Sequence, residues 1–592
     1  MKTTALADRT GIHLTLEPLT RKTLQFIPGA AVLLLGVYFL LGQFMIFLQF
    51  HPHIPARDTW KIMPLVMQVL DYGWGATDLR EGVALTSGAH RIVLSRVLMT
   101  LDYQFFQGQN HLIFFSAYAS LIALAAMYLY NFRLLGRKHY LPALLPQGLV
   151  IVWLFSPGHL YNLLNPINTS WFTALGCSAA SLLLLFTPVR LNKPTLWLLA
   201  WSLAALAAMS NFSGLLVWCL LPAAAFLRND SRTTMLVAAL LSLLVLSVYL
   251  QDVHHSLRIL ITNQQARELL KENWQAVSAV PFEVEIVFKA VRDTLKHLGA
   301  PLLLLNPLAA EMLSLLSVLG LAEAWRRQWP RRRRDPDILF CLFMATLCLG
   351  IALCISQTGR FMAHQYDALR YRSFVMLYWL SVSGLAVALL PHCWQWLKTL
   401  LCLGLVLVFV LIPLKAPKRG EWNLVNAAGI ASAQAELSRH RTGDYRPILP
   451  LNLPNPFPGI EAWMRKEEVA FAADLEGKQK AESPPCDEAL RLSVSPGWDD
   501  VSKIEWSGGS VSRRFRRIQL SGAASQGVLI PQLPAANKVT PFLPGQPILW
   551  RGYLRHPKPR FSPEELTLIF TPVLGKSTIC STLPRIIHQA AQ

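Results

Sequence analysis

Charge is scarce in this chain. Asp, Glu, Lys and Arg make up 15% of its 592 residues, against 53% hydrophobic residues, and mean hydropathy is +0.36. A soluble globular protein carries nearer a quarter charged residues, so this composition points away from that class. Nucleotide-gripping and soluble catalytic signatures are missing too: there is no Walker A loop, GxGxxG turn, nucleophile elbow or HExxH. Their absence argues against an ATP-driven pump and against familiar soluble enzyme modules. Cysteine is thin, nine in all, and none is spaced as CxxC or with His as a zinc site requires. Seven of the nine (Cys177, Cys219, Cys341, Cys348, Cys354, Cys393 and Cys402) lie in or beside apolar runs, where they act as small hydrophobes. No cleavable leader is visible. Residues 1–25 are polar, and the first apolar run is too long for a signal h-region.

What the chain does have is apolar blocks. They cover 26–50, 112–130, 141–155, 171–186, 196–209, 214–227, 235–250, 301–322, 338–356, 374–390 and 400–413. The longer ones suffice to cross about 30 Å of hydrocarbon. The pattern predicts an all-α polytopic membrane bundle of about eleven transmembrane helices over 26–413, after a cytoplasmic segment 1–25. Lys and Arg set the orientation: WRRQWPRRRR at 325–334, FRLLGRK at 132–138, Arg190 with Lys193, and Arg228 with Arg232 mark the cytoplasmic side. Lys415, Lys418 and Arg419 run against this rule on the outer side. The positive-inside bias accounts for much of the +20 net charge, and no basic stripe interleaved with aromatics indicates nucleic acid.

Everything long then falls outside, including 51–110, 156–170, 251–299 and 357–373. In the first outer loop, Leu94, Val97, Leu98, Leu101 and Phe105 form a helical apolar stripe, and Ile62, Val66, Val69 and Leu70 form another. Both read as amphipathic helices lying along the membrane surface. A mixed linker, 414–483, precedes short alternating runs between turns in 484–592, a spacing that predicts a β-rich sandwich outside the membrane. Cys486 and Cys580 bracket that segment. In an oxidising compartment they are candidates for a disulfide; the alternative is two separate thiols.

Four places can carry chemistry. Asp58, with Trp60 in HIPARDTW, puts a carboxylate at the membrane–water boundary; the plain alternative is a solvated loop acid. His90 and Arg91, after Asp78 and Glu81, offer a guanidinium fork suited to phosphate, or an arginine snorkelling to headgroups. TGRFMAHQYDALRYR at 358–372 places Arg360, Arg370, Tyr371 and Arg372 on the outer face, against the positive-inside trend. They suit an anionic ligand, or pairing with Asp367 or lipid phosphate. NLLNPINTSW at 162–171, with Asn165 and Asn168, suits sugar hydroxyls, or caps for its helices. His254 and His255 lack companion metal ligands.

At these same positions the chain resembles bacterial polytopic glycosyltransferases of the GT-C superfamily, close to O-antigen-modifying glucosyltransferase-like membrane proteins. The likeness covers 26–413. It rests on Asp58 with Trp60, on His90-Arg91-Ile92 with Arg96 and Asp102, on LGAP at 298–301, and on Gly359-Arg360 followed by Arg370-Tyr371. Ala89 stands where members carry Glu, and Asn168 where they carry Gln. The resemblance implies an inner-membrane enzyme that takes a polyprenyl-phosphate-linked sugar laterally from the lipid bilayer and transfers it to an envelope glycan or lipid acceptor on the periplasmic face. Asp58 would be the general base, or would orient the acceptor or a divalent metal. Arg91, Arg360, Arg370 and Arg372 would hold the phosphate. Rival readings are an O-antigen polymerase or ligase, a lipid or glycan transporter, and a non-catalytic assembly factor. A transporter would carry charged or interrupted helices at mid-membrane, and these runs are poor in both.

Overall fold

A computed structural model describes residues 17–50, 62–76, 92–138, 144–156, 159, 162–163, 168–187, 191–262, 284–303, 306–329, 335–358, 371–391 and 394–407, and eight strands between 491 and 588. The helices are α1 (Glu17–Phe50), α2 (Met63–Tyr72), α3 (Val93–Phe106), α4 (His111–Lys138), α5 (Leu145–Leu154), α6 (Thr169–Phe186) and α7 (Lys193–Ser210). They continue as α8 (Phe212–Leu227), α9 (Arg232–Thr262), α10 (Val284–Leu298), α11 (Ala300–Leu303), α12 (Pro307–Gln328), α13 (Pro336–Thr358), α14 (Arg372–Leu389) and α15 (Gln395–Val406).

Six of these, α1, α4, α6, α9, α12 and α13, are long and apolar enough to cross a membrane; α5, α8, α14 and α15 are shorter apolar helices. The chain is thus a helical protein of membrane type, and the structure itself supports six spans where the sequence predicts about eleven. For α5, α8, α14 and α15 the difference is one of length; α7 has the 18 residues of α6 but is not among the six. A helix rises about 1.5 Å per residue, so the ten residues of α5 advance only half the hydrocarbon thickness.

Exposure follows the same logic. Leu236, Leu240, Leu243 and Leu244 of α9, and Leu308, Leu316 and Leu319 of α12, stand exposed on their helices, apolar surface that water would not tolerate. Inside, a single core joins α4, α5, α6, α8, α13 and α14 around Trp153, Tyr128, Phe340, Phe343 and Tyr378. Between lipid-like surfaces packing replaces the hydrophobic effect, so small residues and side-chain hydrogen bonds matter. Gly148 illustrates this: a Cβ there would lie 2.7 Å from the Leu33 nitrogen, so α1 and α5 touch backbone to backbone. Tyr128 bonds Ser381 at 2.7 Å and Tyr378 bonds Ser317 at 2.8 Å, tying α4 and α12 to α14.

Short turns between antiparallel helices give the bundle two unlike poles. At one, Lys138 at the end of α4 reaches Asp337 at the start of α13 (2.7 Å). There too Arg228 and Trp197 hold the buried Asp230 carboxylate at 3.0 and 3.2 Å. Glu323 pairs with Arg326 and Arg327 at the end of α12. The other pole is built mainly from amides, hydroxyls and imidazoles, with the buried Asp102 carboxylate among them.

The strands β1 (Arg491–Trp498), β2 (Val501–Ser507), β3 (Phe515–Ser521), β4 (Gln526–Gln532), β5 (Leu549–Arg555), β6 (Leu566–Pro572), β7 (Thr578–Thr582) and β8 (Arg585–His588) form one sheet ordered β7-β6-β3-β4-β5-β2-β1-β8. All neighbours are antiparallel except β1 and β8. Directly opposed residues share a face, so Trp506 meets Trp550, and Ile518 meets Leu529, on the buried side. Glu505 and Arg551 pair across the other face at 2.8 Å. The ladder is continuous among the described strands.

Candidate functional site

This second pole is where the outer loops of the sequence reading begin and end. The Gln43 amide near the end of α1 donates to the Ser156 carbonyl just past α5 (3.2 Å). On α3, Asp102 accepts from the backbone N–H groups of Asn110 (2.5 Å) and Leu112 (2.7 Å), capping the start of α4. Asn211 caps α8 and donates to Ser170 in the first turn of α6 (3.2 Å). Trp379 on α14 donates to the Leu298 carbonyl at the end of α10 (2.8 Å).

The centre of this pole is a directed chain of hydrogen bonds. Asn168 donates to the Asn162 side-chain oxygen Oδ1 (3.0 Å), and Asn162 Nδ2 donates to Ser373 Oγ (2.7 Å). Ser373 Oγ lies 2.9 Å from His159 Nδ1, and His159 Nε2 lies 3.0 Å from the Trp153 carbonyl. A carbonyl only accepts, so Nε2 carries the proton and Nδ1 is left to accept from the Ser373 hydroxyl. Every member is buried. Burial pushes the His159 imidazole down from its ordinary 6.5 to about 4, against a smaller upward pull from the Trp153 carbonyl, so the ring is neutral at pH 7.

Serine donating to an oriented histidine is the geometry of an activated nucleophile. Here Ser373 is enclosed and its oxygen is already engaged by Asn162, so the chain serves as a neutral floor. It fixes the first turn of α14, and with it Tyr371 and Arg372.

Above that floor lies an aromatic group. Half-buried Tyr371 packs edge-on against Trp171 (ring centroids 6.2 Å apart) and against His297 (6.0 Å), and Phe374 closes the cluster.

The candidates from the sequence divide as follows. Tyr371 stands at the N-terminus of α14 and Arg372 is its first helical residue. Asn168 precedes α6 with its amide turned into the buried chain. Cys580 sits on β7 in register with Leu568. Asp58, Trp60, Asp78, His90, Arg91, Asn165, Arg360, Arg370 and Cys486 lie outside the described residues, as do Glu81, Ala89 and Asp367. Among the described residues no group of three or more His, Cys, Asp or Glu is placed to hold a metal.

Asp102, part of the resemblance motif, is a helix cap. Its burial raises the carboxyl from 3.8 to about 6, opposed by the backbone donors Leu112, Asn110 and His111. His159, Ser373 and His297 were not singled out in the sequence. The first two carry no motif, and only their pairing across 214 positions reveals them. Compared with known protein families, curated proteins and solved structures, the chain matches none.

Proposed function

We propose that the protein is a GT-C-like glycosyltransferase of a bacterial inner membrane. In this reading its eleven apolar helices all span, its N-terminus is cytoplasmic, and the strands belong to a periplasmic β-rich domain closed by a Cys486–Cys580 disulfide. The single observation that carries the reading is convergence. The segments bearing Asn165 and Arg360–Arg372 adjoin α6 and α14, whose first turns meet through Trp171 and Tyr371 beside the His159–Ser373 pair, and the segment bearing Asp58 follows α1, whose Gln43 reaches Ser156.

A polyprenyl-phosphate-linked sugar enters this end of the bundle from the bilayer. Arg91, Arg360, Arg370 and Arg372 bind its phosphate and stabilise the charge that grows on the leaving group. Asp58 takes the proton of an acceptor hydroxyl on an envelope glycan or lipid, as general base, and Trp60, Asp78, Asn165 and Asn168 frame the sugars. Tyr371 and His90 complete the phosphate side. Purified full-length protein in nanodiscs, assayed against a panel of polyprenyl-phosphate sugars, should transfer one of them. Asp58→Asn should reduce transfer by about 10²–10⁴-fold with insertion intact. Unreduced transfer by that variant would overturn Asp58 as base. A wild-type protein that moves intact lipid-linked sugar between leaflets, without transfer, would favour the transporter reading.

A further inference from the structure

Helix α10 lies within residues that the sequence reading assigned to a large outer loop, yet two of its apolar side chains face outward beside Arg292 while an aspartate and a histidine face inward. Phe288 is 70% exposed and Val291 45% exposed, whereas Asp293 and His297 are 8% and 3% exposed and Thr294 is buried beside them. A water-facing helix buries its phenylalanine and exposes its aspartate. We propose that α10 is embedded in the bilayer, with Phe288 and Val291 against lipid acyl chains and Asp293, Thr294 and His297 turned to the bundle.

Three observations point to lipid as the occupant. First, α10 packs on α12, α13 and α14, and its inward His297 meets Tyr371, so the polar side is already committed to protein. Second, Arg292, itself 65% exposed, pairs with Glu311 of α12 at 3.2 Å, which sets the outer face of α10 beside α12, where Leu308 and Met312 are exposed. That helix is one of the six long and apolar enough to span, so the outer surface of α10 continues the lipid-facing belt. Third, the C-terminal end is pinned by Trp379 bonding the Leu298 carbonyl, which holds the helix against the bundle. The inference rests on the membrane class of the chain and is independent of glycosyl transfer.

The test uses the unmodified full-length protein in nanodiscs of phosphatidylethanolamine and phosphatidylglycerol, a fraction of whose lipids carry a diazirine in the acyl chain. After photolysis, mass spectrometry of the peptide containing 284–298 should place adducts on Phe288 or Val291. A parallel hydroxyl-radical exposure should oxidise Phe288 at least fivefold more slowly than it does after denaturation. Phe288 oxidised at the denatured rate, with no lipid adduct, overturns the proposal in favour of water. Protection from radicals without any adduct also overturns it, in favour of a protein cover.

Discussion

Ser373 has one proton to donate and His159 Nδ1 receives it, which makes the pole sensitive to acid. The imidazole titrates at 6.5 when unfolded and near 4 when buried. Its contribution is complete above pH 6.5 and is lost as pH falls toward 4, on the order of 3 kcal/mol over that window. Asp102 acts with the opposite sign: its carboxyl is raised from 3.8 to about 6, so its contribution is present below 3.8 and lost as pH rises through about 6. The unfolding midpoint of purified protein, measured from pH 8 to pH 4, separates the two. His159→Gln should remove the acid-side loss, leaving a midpoint that is flat or rises on acidification. Asp102→Asn should make the fall steeper than wild type. A His159→Gln curve identical to wild type would show that this ring does not titrate as its burial requires. Neither residue was legible as a pair beforehand. Sequence reading finds charged clusters and short motifs. A neutral histidine enclosed by amides carries no such mark, whereas Tyr371 and Arg372 announce themselves by standing in an arginine-rich stretch between two apolar runs.

At the scale of elements, apolar runs were legible because a helix in lipid satisfies its own backbone and shows its hydrophobicity continuously. Helix α10 was missed for the same reason: apolar and charged positions interleave in VEIVFKAVRDTLKHL, so no continuous run marks it. Close approaches were invisible too, since no spacing reveals which glycine meets which neighbour. Gly214, in the tight hairpin between α7 and α8, is the extreme case. A Cβ there would lie 2.1 Å from the Ala207 carbonyl oxygen, a distance only backbone movement can relieve. Gly214→Ala should destabilise the protein by about 1–3 kcal/mol, the usual range for overpacking. Gly320→Ala is the control. Nothing lies within 4 Å of its added Cβ on α12, so it should be neutral or gain about 0.5–1 kcal/mol from helix propensity. Midpoints of SDS or thermal unfolding for the two variants should move in opposite directions or leave Gly320→Ala unmoved. Equal losses would mean that α7 and α8 are not packed as closely as Gly214 demands.

At the scale of the whole molecule the decisive quantity is parity. Six spans, the number the helix lengths support alone, return the chain to the side on which it started. Eleven spans leave the two termini on opposite sides. The positive-inside rule, applied to the ionic pole, gives a reason to choose. Arg137, Lys138, Lys193, Arg228, Arg326 and Arg327 gather where α4, α8 and α12 end and α7 begins, and such clusters stay in the cytoplasm. That assignment makes α4, α8 and α12 run inward, which requires the shorter α8 to cross between α7 and α9. Short helices cross by thinning the bilayer locally or by resting on longer neighbours, at fractions of a kcal/mol per Å of mismatch. The buried faces of α8 and α14 inside the core supply such neighbours. An alkaline phosphatase joined after Gln592 should therefore be active outside the membrane. The same reporter joined after Trp329, at the ionic pole, should be inactive, while a green fluorescent protein there should fluoresce. Activity at Trp329 would invert the bundle. An inactive phosphatase at Gln592 together with fluorescence at Trp329 would mean an even number of crossings, and would move the strands, with Cys580, to the reducing side, where no disulfide persists.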